Sequence, residues 1–157
     1  MRLAVFTYAD TMKTVIVAKA LVIDDEQNCL IMRRSDSHPV VPLTPDLPGG
    51  QLDEDESPRD AVIREIVEET GLIVRPEHTR LEFATTEFEP ERERSVVRCL
   101  FVTRIAGVKP DVQISWEHSE AWWAPAANAA QELTHPEYVA GVQYILEHNL
   151  IKDTEER

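Results

Sequence analysis

Residues 50–72 read GQLDEDESPRDAVIREIVEETGL, and the fold turns on how this stretch is read. Ser57 is a good N-cap, Pro58 suits the first helical position, and Asp60 completes a capping box with Ser57. Gly71 is a natural stop in left-handed geometry, so the spacing predicts a helix over residues 57–70. At about 100° per residue, Val62, Ile63, Ile66, Val67 and Thr70 fall on one side and are expected to face the core. Ala61, Arg64, Glu65, Glu68, Glu69 and Leu72 fall on the other. Glu65, Glu68 and Glu69 stand at i, i+3 and i+4, so three carboxylates share one patch, and each like-charged pair costs roughly 0.3 kcal/mol in a bare helix. Arg64 is the only cation on the helix within reach of them. Such a patch is either a solvated acidic face or a site for a hard divalent cation, because carboxylates one turn apart can reach the same ion or two adjacent ions.

The whole chain is acidic as well. Its 157 residues carry 16 Lys and Arg against 29 Asp and Glu, a net charge of −13. Eight acids and two arginines lie between Gly50 and Gly71, so nearly half of the net charge sits in that stretch. This charge argues against polymeric nucleic acid and against an anionic membrane surface as partners. A small anionic substrate would need a cation to bridge it to the protein. The length fits one domain over residues 1–157, with residues 1–12 as a candidate N-terminal extension. Cys29 and Cys99 sit in apolar runs and read as reduced core thiols rather than a disulfide framework. No apolar run approaches the ~18 residues of a membrane span, no signal peptide is evident at the start, and the expected location is the cytoplasm.

Residues 13–23 and 29–34 read as two strands joined by the polar turn Asp24-Asp25-Glu26-Gln27-Asn28, together a hairpin. Pro39, Pro42, Pro45 and Pro48 make residues 35–48 an extended loop. Leu72–Val74 reads as a short strand, and residues 79–88 and 95–104 as two more strands. Val112–Ser115 and Trp122–Ala124 are short strand candidates, and Pro136–His148 is a last helix with Val139, Val142, Ile145 and Leu146 as its buried stripe. Strands on both sides of the first helix, without strict alternation, indicate a mixed sheet with helices on its faces.

An EF-hand loop starting at Asp53 is excluded, because Pro58 stands where Gly is required and Arg64 where the bidentate Glu should be. Counting from Gly50 instead gives five residues, Glu56, seven residues, Arg64-Glu65-Ile66, one residue, Glu68-Glu69, one residue, Gly71-Leu72. All nine specified positions match the Nudix box, and the chain resembles the Nudix hydrolase family, MutT-like in its small size. Leu47-Pro48-Gly49-Gly50, Ile31-Met32-Arg33-Arg34 and the segment Glu117–Trp123 extend the resemblance. It implies an α/β fold, a Nudix-type α/β/α sandwich around a mixed sheet.

The resemblance also implies roles. Glu65, Glu68 and Glu69 become ligands for Mg²⁺ or Mn²⁺, with Glu65 either a ligand or the general base. Arg64 and Glu56 become an ion pair that ties the loop to the helix and orients Glu65. Gly49 and Gly50 let the backbone approach the metal, with the Gly49 carbonyl as a ligand, and Gly71 ends the helix. Glu117 is either a further ligand or base, with Glu120 as its rival for that role, or a surface or structural carboxylate. One of Arg33 and Arg34 contacts substrate phosphate, since adjacent strand residues point to opposite faces. Trp116, Phe88 and Phe83 either stack on a base or serve packing and surface; His38 and His118 read as structural; Asp53, Glu54 and Asp55 read as a solvated loop.

The implied activity is divalent-metal-dependent hydrolysis of a diphosphate bond in a nucleoside diphosphate linked to a group X. The leading expectation is a nucleoside triphosphate, modified or not, cleaved to monophosphate and pyrophosphate. A nucleotide sugar or ADP-ribose is the alternative, then a catalytically silent nucleotide-sensing domain and, last, an isomerase on the same fold. Signatures of the NADH, coenzyme A, ADP-ribose and dinucleoside polyphosphate subgroups are absent or off register. The partner is a small nucleotide, and a homodimer is compatible with the family.

Overall fold

A computed structural model describes residues 13–152; the suggested extension over residues 1–12 lies outside the described residues. Its strands are β1 (Lys13–Ile23), β2 (Asn28–Arg34), β3 (Pro45–Asp46), β4 (Gly49–Gln51), β5 (Thr79–Glu89), β6 (Arg94–Arg104) and β7 (His118–Pro125). Its helices are α1 (Pro58–Thr70), the single turn α2 (Ala129–Glu132) and α3 (Pro136–Glu147). The strand order is β3-β2-β1-β6-β5, with β4 also paired to β1 and β7 to β2. β1 and β6 run parallel along their whole length while the other pairs are antiparallel, so the sheet is mixed. β1 and β2 do pair as a hairpin, but only at Ile23 and Cys29. β4 takes the same edge of β1 farther back, at Val17, Ala18 and Lys19.

Alternation along β1 sends side chains to two cores. Ala18, Ala20 and Val22 pack with Ala61, Val62 and Ile66 of α1. Leu21 and Ile23 pack with Tyr138, Val142 and Ile145 of α3. Cys29 and Cys99 are buried free thiols, one in each core. The architecture is thus an α/β/α sandwich, as expected. No helix among the described residues is long and apolar enough to cross a membrane.

Three expectations change. Leu72–Val74 is not a strand; Leu72 and Val74 are buried and Ile73 exposed, but the segment pairs with nothing in the sheet. Val112–Ser115 is not a strand either, because its N–H groups serve the helix instead: Gln113 N donates to Thr70 O at 2.9 Å and Ser115 N to Glu69 O at 3.1 Å. These are the carbonyls that the end of a helix leaves without intrahelical partners. The third change is the buried arc of α1. Ala61, Val62, Ile66, Glu69 and Thr70 are buried, whereas Val67 is 42% exposed. The arc is turned because β4 and the segment after residue 112 cover α1 as well as the central strands.

This rotation has a measurable consequence. Ile66→Ala is expected to cost about 3 kcal/mol of unfolding free energy through transfer and cavity terms. Val67→Ala should stay within about 0.5 kcal/mol, as for other surface substitutions. Urea titrations of the two variants check this; equal losses would restore the arc expected from the sequence.

Candidate active site

The α1 boundaries follow from local chemistry. Ser57 Oγ accepts from Asp60 N at 3.2 Å and donates to Asp60 Oδ2 at 2.6 Å, and Pro58 begins the helix. Gly71 ends it at φ 69°, its N–H donating to Val67 O at 2.9 Å. Between these caps, Arg64 is a hub. Its Nε and Nη2 grip Glu56 at 2.9 and 3.0 Å, and its Nη1 reaches Glu65 Oε1 at 2.8 Å and Glu68 Oε2 at 3.2 Å. The hydrogen-bonded Glu56 carboxylate raises the Arg64 pKa and is itself held below the usual carboxylate range by Arg64. The Arg64–Glu56 pair inferred from the resemblance is therefore present, and it extends to two of the three helix carboxylates.

β4 brings backbone against these groups. Gly49 has φ 125° and lies opposite Lys19 of β1, where any Cβ would overlap the Ala18 carbonyl. At Gly50 a Cβ would stand 2.6 Å from Glu65 Oε1, so the bare backbone makes room for that carboxylate. Gly49 N donates to Glu69 Oε2 at 2.8 Å. The Gly49 carbonyl accepts from Lys19 Nζ, which also pairs with Asp46 Oδ2 at 2.9 Å. Arg34 joins the same Asp46 oxygen at 2.8 Å.

The three helix carboxylates thus have unlike surroundings. Glu69 is 5% exposed, and burial pushes its pKa up to about 8 against the pull of Lys19 and the Gly49 N–H. Glu65 is half-buried and raised by burial, with Arg64 opposing. Glu68 is largely exposed and, among the described residues, held only by Arg64. As they stand, no three His, Cys, Asp or Glu side chains among the described residues share one ion-sized site. Arg64 draws Glu65 and Glu68 to itself while Glu69 turns to Gly49.

A cavity of about 590 Å³ opens beside Glu65, Glu69 and the two glycines. Of the two arginines, Arg34 lines it, whereas Arg33 lies over Trp122 and pairs with Glu120 at 2.9 Å. Glu117 lines it too, 3.6 Å from His38 Nε2, while Glu120 is turned away with Arg33. Phe88 lines the cavity and is 56% exposed; Trp116 is 68% exposed, and Phe83 packs on the core next to α3. Asp53, Glu54 and Asp55 are exposed, as expected of a solvated loop.

Several lining residues escaped the sequence reading. Lys19 and Arg98 are 5% and 8% exposed, and Tyr138 is 3% exposed. Arg98 binds Glu87 Oε2 at 2.7 Å and donates to Tyr138 Oη at 3.2 Å. Lys19 and Arg98 are charges in the middle of apolar runs of β1 and β6, which was the available signal, since a buried charge needs a partner. His118 is also buried; burial and then Lys19 push its pKa down to about 4, so it is neutral at pH 7. Neither of its ring nitrogens has a hydrogen-bond partner, and Nε2 lies 3.9 Å from Glu69 Oε1.

Comparison with known proteins bears on the family and the fold. The NUDIX domain family model matches residues 13–142. A Bacillus subtilis (strain 168) relative that carries an 8-oxo-dGTP diphosphatase name is 46% identical over 54 residues, 34% of this chain and 33% of that protein. An RNA pyrophosphohydrolase of Roseobacter denitrificans (strain ATCC 33942 / OCh 114) is 31% identical over 103 residues, 55% of this chain and 63% of that one. The chain thus spans a third to somewhat under two thirds of these curated relatives. The crystal structure of a MutT protein from Methanosarcina mazei Go1 superposes with a TM-score of 0.75 at 25% identity, covering 90% of this chain and 99% of that one.

Burial of Glu69 sets a pH dependence. From its ordinary value of 4.5 up to about 8, the folded protein holds a proton on Glu69 that the unfolded chain has lost. Its contribution to metal-free stability therefore falls as pH rises through that window. In EDTA, Glu69→Gln should lack this component, so the Tm difference between variant and wild type moves in the variant's favour from pH 5 to pH 8.5. Parallel Tm–pH curves would contradict the assignment.

Proposed function

The chain belongs to the NUDIX domain family, and from that premise we propose that it is a divalent-metal-dependent pyrophosphohydrolase. Its substrate is a nucleoside diphosphate linked to X. A nucleoside triphosphate, modified or not, cleaved to monophosphate and pyrophosphate is the leading case, in line with the 8-oxo-dGTP diphosphatase name of one relative. The observation that carries this reading is the meeting of Glu65, Glu69, Gly49 and Gly50 at one end of a nucleotide-sized cavity.

The residues fit Mg²⁺ or Mn²⁺. The donors are oxygens, as hard cations require. Glu69 is a carboxylate whose burial disfavours its charge, and the unpartnered Nε2 of His118 lies 3.9 Å from it. Glu65, Glu68, Glu69, the Gly49 carbonyl and Glu117 would hold the ion or ions. Bound there, the metal supplies a water of lowered pKa and neutralises phosphate oxygens.

The chain's own groups do the rest. Arg64, anchored by Glu56, fixes the Glu65 carboxylate through Oε1 and leaves Oε2 to accept a proton. Gly50 leaves room for Glu65, and Gly71 ends α1 one residue beyond Thr70. Arg34, steadied by Asp46, faces the cavity as the phosphate contact; Arg33 does not line it. Positioning and charge stabilisation are what phosphoryl chemistry chiefly needs.

A nucleotide sugar is the second reading, favoured by the polar side chains Glu87, Arg98, His135 and Tyr138 on the cavity wall. In either case residues 1–157 act as one cytoplasmic domain on a small nucleotide, not on polymeric nucleic acid or membrane, in a form compatible with a homodimer.

The test is a panel of nucleoside triphosphates, ADP-ribose, nucleotide sugars and dinucleoside polyphosphates with Mg²⁺ or Mn²⁺, with products identified. A triphosphate should yield monophosphate and pyrophosphate, and EDTA should stop the reaction. Glu65→Gln, Glu68→Gln and Glu69→Gln should each lower kcat/KM by about a hundredfold or more with folding retained. Unchanged metal-dependent rates in all three would overturn the assignment.

A further inference from the structure

Lys19 stands where no charge would be expected. It is in the middle of β1, flanked by Ala18 and Ala20, and only 5% exposed. An ammonium at such a position is costly unless it is paired and hydrogen-bonded. Its partners are Asp46 Oδ2 at 2.9 Å and the Gly49 carbonyl. The β1–β4 register sets Lys19 directly opposite Gly49, so this second contact is built into the strand pairing. Asp46 already has a second cation, Arg34, at 2.8 Å. The neutralisation of Asp46 therefore does not by itself account for Lys19, which adds a field at Glu69 and a direct contact of positive charge with the Gly49 carbonyl.

We infer that Lys19 is an internal cation that competes with a divalent ion for the Gly49 carbonyl, an inference that rests on the proposed role of that carbonyl as a metal ligand. An ammonium and a divalent ion on one carbonyl oxygen would stand only about 4 Å apart and repel strongly in a buried setting. Ion binding at this oxygen therefore requires the Lys19 ammonium to leave it. Lys19 lines the same cavity as Arg34, so a displaced ammonium has a space to enter. Lys19 thus sets the metal affinity of the site without itself being a ligand.

The inference is tested by Mn²⁺ binding to the full chain, followed by calorimetry and electron paramagnetic resonance. The proteins are wild type, Lys19→Met, Arg34→Met, and Lys19→Met combined with Asp46→Asn. The double variant removes the Asp46 charge together with that of Lys19, should the single one fold poorly. Removing Lys19, in either background, should tighten Mn²⁺ binding by about tenfold or more, whereas Arg34→Met, which removes a charge that does not touch the carbonyl, should change it by less than about threefold. Wild-type-like binding after loss of Lys19, or equal tightening by Arg34→Met, overturns the inference alone. Absence of Mn²⁺ binding in every variant overturns the metal reading and the inference together.

Discussion

Holding the Glu69 carboxylate out of water is the constraint from which the site is built. A buried carboxyl group needs partners: the backbone N–H of Gly49 on β4 donates to it, and Lys19 on β1 adds a favourable field. Neither element could come close if Gly49 carried a side chain, since its Cβ would overlap the Ala18 carbonyl. Pairing of β4 with β1, the positive φ at Gly49 and the turned arc of α1 are thus consequences of one packing arrangement. The same arrangement keeps β4 and β2 on one edge of β1, and the cavity opens beside them.

Arg64 divides the three helix carboxylates into two states. It is bonded to Glu56, Glu65 and Glu68 but not to Glu69. Repulsion along α1 is thereby relieved for the two outer carboxylates and left in place for the buried one, where burial already disfavours charge. A divalent ion would draw Glu65 and Glu68 partly away from Arg64, while Glu56 would keep the guanidinium in position. An exposed ion pair contributes little stability; here the bidentate Glu56–Arg64 pair fixes where the movable carboxylates start.

The ends of α1 were legible because caps are local: Ser57, Pro58 and Gly71 act within a few residues of where they stand. The strands from 79 and 95 were legible by length and composition, and the two faces of β1 by alternation. What failed was whatever depended on a distant partner. Residues 72–74 and 112–115 have strand-like composition, yet the N–H groups of Gln113 and Ser115 are spent on the end of α1. The helical wheel put Glu69 with the exposed carboxylates because it assumes a single covering surface, and α1 has more than one. Alternation required that only one of Arg33 and Arg34 face the cavity, but which one depends on where β7 and β3 flank β2.

Lys19 shows most plainly why a motif can locate a site without describing it. The box from Gly50 to Leu72 specifies carboxylates and glycines on one helix and its leading loop. It does not include β1, whose register against Gly49 puts a positive charge in the same place. The box stretch carries nearly half of the net charge of −13, which alone would describe a strongly anionic surface. The cavity also holds Lys19, Arg34 and Arg98, each bonded to a carboxylate outside that stretch, Asp46 or Glu87. The local field is therefore a set of paired charges that a phosphate or a metal can enter only by exchanging partners. Under the proposed function that exchange would favour a metal-bridged nucleotide: an ion alone would have to displace an ammonium, and a phosphate alone a carboxylate. Ion and phosphate together can take up the partners that each sets free.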